Sequence, residues 1–234
     1  MTAVKRLAED DARLLALEAE LERRFRTTRT TYPIVGEAIE VLHPANADDL
    51  ITEEDYVRDE RLPYWADIWP SAVTLAGHLV KRAGRARRLL ELGCGSGLAT
   101  AAAAMAGFKV TSTDYYDDAL LFAEVNAWRN AGVEIATRHV DWRDFPNDLG
   151  EFDLVVASDV LYEKTYAALL AHAFHRTLAP KGIGFVTDPG RIAAPDFVRE
   201  CGDRGLRVEK SARIPFEAGA IKQTIDLYEI TRPA

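Results

Sequence analysis

Cysteine is scarce in this chain: Cys94 and Cys201 are the only two in 234 residues. One sits in a glycine-rich turn, and neither has a partner at metal-ligand spacing. That argues against a disulfide framework and against a zinc site, and no metal is expected. No apolar run approaches the roughly 20 residues needed to span a bilayer. The N-terminal stretch carries Glu9, Asp10 and Asp11 and no apolar core, so a secretory signal is not expected and the cytoplasm is the expected compartment. Positive charge is in deficit, with 29 Lys and Arg against 37 Asp and Glu and a formal net charge of −8. This balance argues against broad affinity for nucleic acid. Two basic clusters, Arg23, Arg24, Arg26 and Arg29, then Lys81, Arg82, Arg85, Arg87 and Arg88, fall near expected helix ends and read as solvated faces. A Gly-Lys-Ser/Thr triplet is missing, which excludes a phosphate loop of the NTPase kind. No internal repeat or low-complexity segment interrupts the chain. Its length suits one α/β domain, residues 31–234, behind an N-terminal helical extension, residues 1–30.

What is present centres on Glu91-Leu92-Gly93-Cys94-Gly95-Ser96-Gly97. Leu89 to Leu92 reads as a buried strand, the glycines as a tight turn, and Leu98 to Ala106 as a helix. A strand that feeds a helix through glycines brings bare backbone N–H groups up to a ligand. A second strand, Phe108 to Thr113, ends at Asp114, a carboxylate placed to accept both hydroxyls of a ribose. The spacing separates two cofactor types. A dinucleotide fingerprint has its third glycine three residues after the second, where this chain has Leu98. The pattern is G-x-G-x-G, so NAD is not expected.

The remaining chain alternates strands and helices. Val4 to Arg26 is expected as an amphipathic helix with Leu7, Leu14, Leu17, Leu21 and Phe25 on one face. It either packs on the domain or binds a partner. Thr27 to Thr31 reads as a connector, and Tyr32 to Leu42 as one arm of a short hairpin with Asp48 to Ile51. Arg61-Leu62-Pro63-Tyr64-Trp65-Ala66-Asp67-Ile68-Trp69-Pro70-Ser71 follows, and Pro70 suits the first turn of a helix reaching about Arg82, with Leu75 and Leu79 buried. Trp65 and Trp69 serve either the core or a ligand site. After the glycine turn come a helix over Asp117 to Ala131, a strand over Glu134 to Val140 ending at Asp141-Trp142, and a strand over Phe152 to Ser158. The last is a near-continuous apolar run, as a strand buried on both faces requires. A helix over Thr165 to Leu178 offers Ala168, Leu169, Ala173 and Phe174 for packing. Ala179 to Gly182 reads as a turn, Gly184 to Thr187 as a strand and Pro195 to Arg204 as a helix. Leu206 to Ile214 and Gln223 to Ile230 fit an antiparallel hairpin at the sheet edge.

Five strand–helix units closed by a hairpin is the element order of class I S-adenosylmethionine-dependent methyltransferases, a Rossmann-like, doubly wound seven-stranded α/β fold. Pro63-Tyr64-Trp65-Ala66-x-x-Trp69-Pro70, the E-L-G-C-G-S-G turn, Asp141-Trp142 and Ala157-Ser158-Asp159-Val160-Leu161-Tyr162-Glu163 are together similar to the D-x-x-Y group of protein-lysine methyltransferases. Within that group the chain most resembles the lysine methyltransferases of the electron-transfer flavoprotein β subunit and their bacterial relatives. Thr187-Asp188-Pro189-Gly190-Arg191 adds to the likeness. The resemblance implies S-adenosyl-L-methionine as cofactor, contacted by Trp69, Glu91, Gly93, Gly95, Asp114, Asp141, Trp142 and Ser158. It implies Asp159 and Tyr162 as the catalytic pair and a lysine of a protein substrate as acceptor. One departure is local: Ser71-Ala72 stands where the flavoprotein enzymes tend to have Gly-Gly, which bears on the acceptor entrance. Some bacterial relatives carry a nicotinamide N-methylase label. A small amine or pyridine nitrogen is therefore an alternative acceptor, and a non-catalytic cofactor-binding module is a third reading. The chain lacks Asn/Asp-Pro-Pro-Tyr/Phe and a Pro-Cys nucleophile after the fourth strand, two features of nucleic-acid and glutamine methyltransferases.

Overall fold

The computed structural model describes residues 3–51 and 62–233, with side chains from residue 11 onward. Its largest element is a seven-stranded sheet built from β3 (Arg88–Leu92), β4 (Lys109–Asp114), β5 (Ala136–His139), β6 (Phe152–Ser158), β7 (Leu178–Asp188), β8 (Arg207–Ala218) and β9 (Ile221–Thr231), in the order β5-β4-β3-β6-β7-β9-β8. The first five strands run parallel, and β9 joins β7 and β8 antiparallel. From β3 the chain steps outward to β4 and β5, then returns to place β6 on the other side of β3. That reversal opens a crevice at the carboxyl ends of β3 and β6, where open α/β sheets bind ligands.

The strand sequences dictate two buried faces. In β6, Val155 and Ala157 point into one core with Leu90, Leu92, Leu170 and Phe174. Leu154 and Val156 point into the other with Leu75, Leu79, Leu89 and Phe185. The period-two alternation of a strand needs apolar residues at every position when helices cover both faces. The helices are α2 (Pro70–Val80), α3 (Leu98–Met105), α4 (Asp117–Ala131), α5 (Lys164–Thr177) and α6 (Ala194–Asp203). Gly132 ends α4 in the left-handed conformation, its N–H closing on the Trp128 carbonyl.

The N-terminal part is tied to this body. Helix α1 (Ala3–Arg24) buries Leu14 and Leu21, with Leu17 and Phe25 partly covered. Leu7 falls outside the described side chains. Leu21 shares a cluster with Leu42, Trp65 and Phe122. Trp128 donates to Asp11 at 2.9 Å, and the Glu18 carboxylate is paired with Arg129 and, at 3.0 Å, with Arg29.

Several elements differ from their sequence reading. The hairpin forms between β1 (Thr27–Ile34) and β2 (Glu37–Pro44), so the expected connector is itself a strand and the 30/31 boundary falls within it. Asp48 to Ile51 makes no strand; Ala47–Leu50 is a 3-10 turn capped by Asn46. Only a 3-10 turn, Trp142–Asp144, follows β5, so that unit has no α-helix. Ala179 to Gly182 is an irregularity inside β7: Phe152 pairs Leu178 and Leu154 pairs Ile183, and the extra residues bulge around Pro180, which has no N–H to give the ladder. In α5 the buried stripe is Ala167, Leu170, Ala171 and Phe174, while Ala168 and Leu169 are partly exposed. β8 and β9 extend past their expected ends to a tight turn at Gly219 and Ala220.

Candidate active site

The crevice beyond β3 and β6 holds a cavity of about 420 Å³. This lies within the roughly 300–1,000 Å³ of small-molecule sites. The glycine turn forms its floor. Gly93 and Cys94 N–H groups both donate to the Thr113 carbonyl, at 2.9 and 3.0 Å, which fastens the turn to β4. Gly95 N–H donates to Asp114 Oδ2 at 2.9 Å and Tyr116 N–H to Oδ1 at 3.0 Å. Burial raises the Asp114 pKa, and these backbone donors oppose the rise. The Tyr115 backbone is a third donor to this carboxylate, and a carboxylate offers about four lone-pair sites, so about one remains for a hydroxyl donor. A Cβ at Gly93 would stand 3.1 Å from Val160 and 3.7 Å from Trp142, so a side chain here would crowd the cavity wall. Trp142, Asp141 and Ser158 line the same cavity, and Arg143 holds Asp141 with Nη2 2.6 Å from Oδ2.

Asp159 and Tyr162 stand at the β6 side of this cavity. Asp159 adopts a left-handed backbone conformation (φ 57°) and its N–H donates to the Thr187 carbonyl at 3.0 Å. The turn carries the side chain inward, where it is 3% exposed. Ser71 Oγ donates to Oδ2 at 2.9 Å, and Arg191 Nε donates to Oδ1 at 2.8 Å. Arg191 also stands over Trp69, 5.4 Å from the ring centroid. Five rings run edge to face across the mouth: Trp69–Tyr64 at 6.0 Å, Tyr64–Tyr162 at 5.3 Å, Tyr162–Tyr166 at 5.1 Å and Tyr166–Trp142 at 5.8 Å. Burial among these rings and the neighbouring Tyr166 push the Tyr162 phenol well above its ordinary pKa, so it stays neutral at physiological pH.

Residues 47–188 match the model of the lysine methyltransferase family, more than half of the chain. The chain belongs to that family. It is 27% identical over 179 residues to the mouse protein-lysine methyltransferase METTL21E, covering 71% of this chain and 68% of that one. It is 29% identical over 137 residues to the Xenopus laevis electron transfer flavoprotein beta subunit lysine methyltransferase, covering 55% and 53%. A 150-residue stretch is 26% identical to a Pseudomonas aeruginosa ubiquinone biosynthesis O-methyltransferase, covering 60% and 64%. Among solved structures, a ribosomal protein L11 methylase from Lactobacillus delbrueckii superimposes with a TM-score of 0.52 at 24% identity, over 70% of this chain and 79% of that one. The fold is the Rossmann-like fold of S-adenosylmethionine-dependent methyltransferases, and this lysine methyltransferase family member uses that cofactor. The bare backbone at Gly93, the remaining acceptor capacity of Asp114 and the Trp142 wall fit it.

The methyltransferase cavity gathers nine of the ten residues singled out from sequence: Trp69, Gly93, Gly95, Asp114, Asp141, Trp142, Ser158, Asp159 and Tyr162. Glu91 lies outside it, 1% exposed beneath the turn. Its carboxyl accepts from Thr100 Oγ1, which in turn meets Ser112 Oγ at 2.7 Å. Burial pushes Glu91 up to about 8, so it is largely protonated at neutral pH. The folded state then binds a proton that the unfolded state releases near pH 4.5, and stability falls as pH rises from about 4.5 to 8. Glu91→Gln keeps the shape and removes the titration. Its melting temperature relative to the wild type should climb between pH 6 and pH 9, by an amount reflecting on the order of a few kcal/mol. A flat difference across that range would show that Glu91 is already ionised in the fold. Sequence reasoning missed Ser71 and Arg191 as neighbours of Asp159, and Tyr64 and Tyr115 as cavity walls.

Proposed function

We propose that this methyltransferase transfers a methyl group from S-adenosylmethionine to the ε-amine of a lysine in a protein. The observation that carries this is the meeting of Asp159, Trp69 and Tyr162 with the glycine turn and Asp114 in one cavity. In this reading Gly93 and Gly95 approach the methionine portion, Asp114 takes a ribose hydroxyl, Asp141 and Trp142 border the adenine, and Ser158 and Trp69 complete the contact set. Glu91 supports the turn from below. When bound, the cofactor supplies a methyl group on a sulfonium, whose positive charge disappears as the sulfur leaves. The protein's task is placement more than acid–base chemistry. A lysine must be neutral to attack, while its free pKa is near 10.4. A channel walled by Trp69, Tyr64 and Tyr162 strips water from the ammonium and lowers that pKa, and Asp159 orients the amine. The two free cysteines, both buried, are in keeping with a reducing cytoplasm. Among the described residues no helix is long and apolar enough to cross a membrane.

Two measurements test this. Asp114→Ala should weaken S-adenosylhomocysteine binding by roughly 1–3 kcal/mol in calorimetry, because a ribose hydroxyl and the Gly95 and Tyr116 N–H groups lose their acceptor. Unchanged affinity would remove Asp114 from the cofactor site. For the acceptor, the enzyme is incubated with a cell lysate and isotopic S-adenosylmethionine. Label in protein, on lysine after hydrolysis, supports the proposal. Label confined to small molecules selects the small-amine reading, and no transfer to any acceptor selects the non-catalytic one.

A further inference from the structure

A cation sits against the buried carboxylate of the site. Arg191 donates Nε to Asp159 at 2.8 Å and lays its guanidinium over Trp69 at 5.4 Å. A buried carboxylate facing an aromatic plate is the pairing that seats an alkylammonium group. Beside the cofactor cavity lies a second one of about 710 Å³, lined also by Tyr32, His43 and Gln223. Trp69, Asp159 and Arg191 line both, so the ion pair stands in the wall between them.

We propose that Arg191 is a placeholder: its guanidinium fills the seat between Asp159 and Trp69 until an acceptor alkylammonium, entering by the second cavity, displaces it. This rests on the lysine reading above. Three features make the exchange workable. The Arg191 backbone is anchored apart from its side chain, since Asp188 Oδ1 accepts its N–H at 2.6 Å and that of Gly190 at 2.7 Å. The side chain can therefore leave Asp159 while the main chain stays in place. Asp159 keeps Ser71 as a donor at 2.9 Å during the exchange. Arg191 borders the second cavity too and is 34% exposed, so its charge has a hydrated space to enter. A buried carboxylate stripped of its cation is strongly disfavoured, so only another cation can take the place of Arg191. The device thus admits the acceptor in its ammonium form, and the seated amine releases its proton to water before it can attack.

The test uses the full-length enzyme saturated with S-adenosylhomocysteine at pH 7.5. The probe is n-butylammonium, the chemistry of a lysine side chain, with n-butanol as its neutral counterpart. The readout is the Trp69 indole N–H resonance, assigned with Trp69→Phe. Arg191→Met should bind n-butylammonium about tenfold more tightly than the wild type. Arg191→Lys, which keeps a cation in the seat, should stay near the wild-type value. n-Butanol should gain nothing from Arg191→Met. Unchanged or weaker ammonium binding in Arg191→Met, or an equal gain for n-butanol, would overturn the proposal. Should Arg191→Met lose cooperative melting, Arg191→Gln carries the same expectation, being neutral yet able to donate to Asp159. Failure of the wild type to bind S-adenosylhomocysteine would instead count against the cofactor assignment. Label found only in a neutral small molecule would count against the lysine reading, whatever the titration gives.

Discussion

Asp159→Asn should lower methyl-transfer turnover by on the order of a hundredfold or more, the usual cost of losing a positioned charge at a reacting centre. The structure makes asparagine a clean substitution here. Asp159 has a φ of 57°, and asparagine is among the few non-glycine residues that take this conformation readily. Its amide oxygen can still accept from Arg191, while its NH₂ can turn to Ser71 Oγ, which accepts as well as donates. Shape, turn and both neighbours are kept, and the charge alone is lost. Cofactor affinity should change far less, because Gly95 and Asp114 are held by their own hydrogen bond and neither bonds to Asp159. Tyr162→Phe should cost less than Asp159→Asn. Its phenol is held neutral and its ring is the part that packs, at 5.3 Å from Tyr64 and 5.1 Å from Tyr166. Turnover and S-adenosylhomocysteine affinity measured side by side decide the matter. Near-normal turnover in Asp159→Asn would leave this carboxylate a structural clamp for Ser71 and Arg191.

The elements legible in the sequence are those whose signals are local. α4 begins after Tyr116 and ends at Gly132, and β6 is an apolar run bounded by polar residues, so both match their expected ranges, Asp117–Ala131 and Phe152–Ser158. The β1–β2 pairing was hidden because Thr27 to Thr31 shows no apolar alternation; all five of those residues are partly or fully exposed. The phase of α5 slipped because Ala167 and Ala168 are equal in sequence, and only the contact with β6 and α6 chooses between them. The site shows the same division. The glycine turn, Asp114 and Asp159 are marked by position after a strand. Ser71 and Arg191 reach Asp159 across 88 and 32 residues of chain, a convergence that no local pattern encodes.

Glu91 had a usable signal. Strand alternation sets it on the face opposite Leu90 and Leu92, which share a core with α5 and α6. The face it takes is covered by α3, an otherwise apolar helix of sequence Leu-Ala-Thr-Ala-Ala-Ala-Ala-Met. A single threonine in such a helix needs a polar partner, and Glu91 is that partner. The acidic residue before the glycines is therefore accounted for by the packing of β3 against α3.

Gly97→Ala should lower the melting temperature by about 10 °C, a loss on the order of 3–5 kcal/mol in a domain of this size. Two costs add. Gly97 caps α3 at φ 83°, ψ 26°, a left-handed conformation that costs an alanine roughly 1–2 kcal/mol. Its Cβ would also fall 2.4 Å from Ala123 Cα and 2.7 Å from Ala123 Cβ, both on α4. Those are backbone and a rigid methyl, so α3 and α4 would have to separate inside a close-packed core. Gly132 supplies the control. It sits at φ 65°, ψ 25°, nearly the same conformation, with nothing within 4 Å of a built Cβ. Gly132→Ala should therefore carry the backbone cost alone, a shift of about 2–5 °C. The difference between the two melts isolates the helix–helix contact. Gly97→Ala should also weaken S-adenosylhomocysteine binding, since Gly97 N–H donates to the Cys94 carbonyl at 3.0 Å and closes the turn that forms the cavity floor. Gly132→Ala should leave that affinity unchanged. Equal losses of melting temperature in the two variants would mean that α3 and α4 yield freely, and that Gly97 is required for its conformation and not for the approach of the helices.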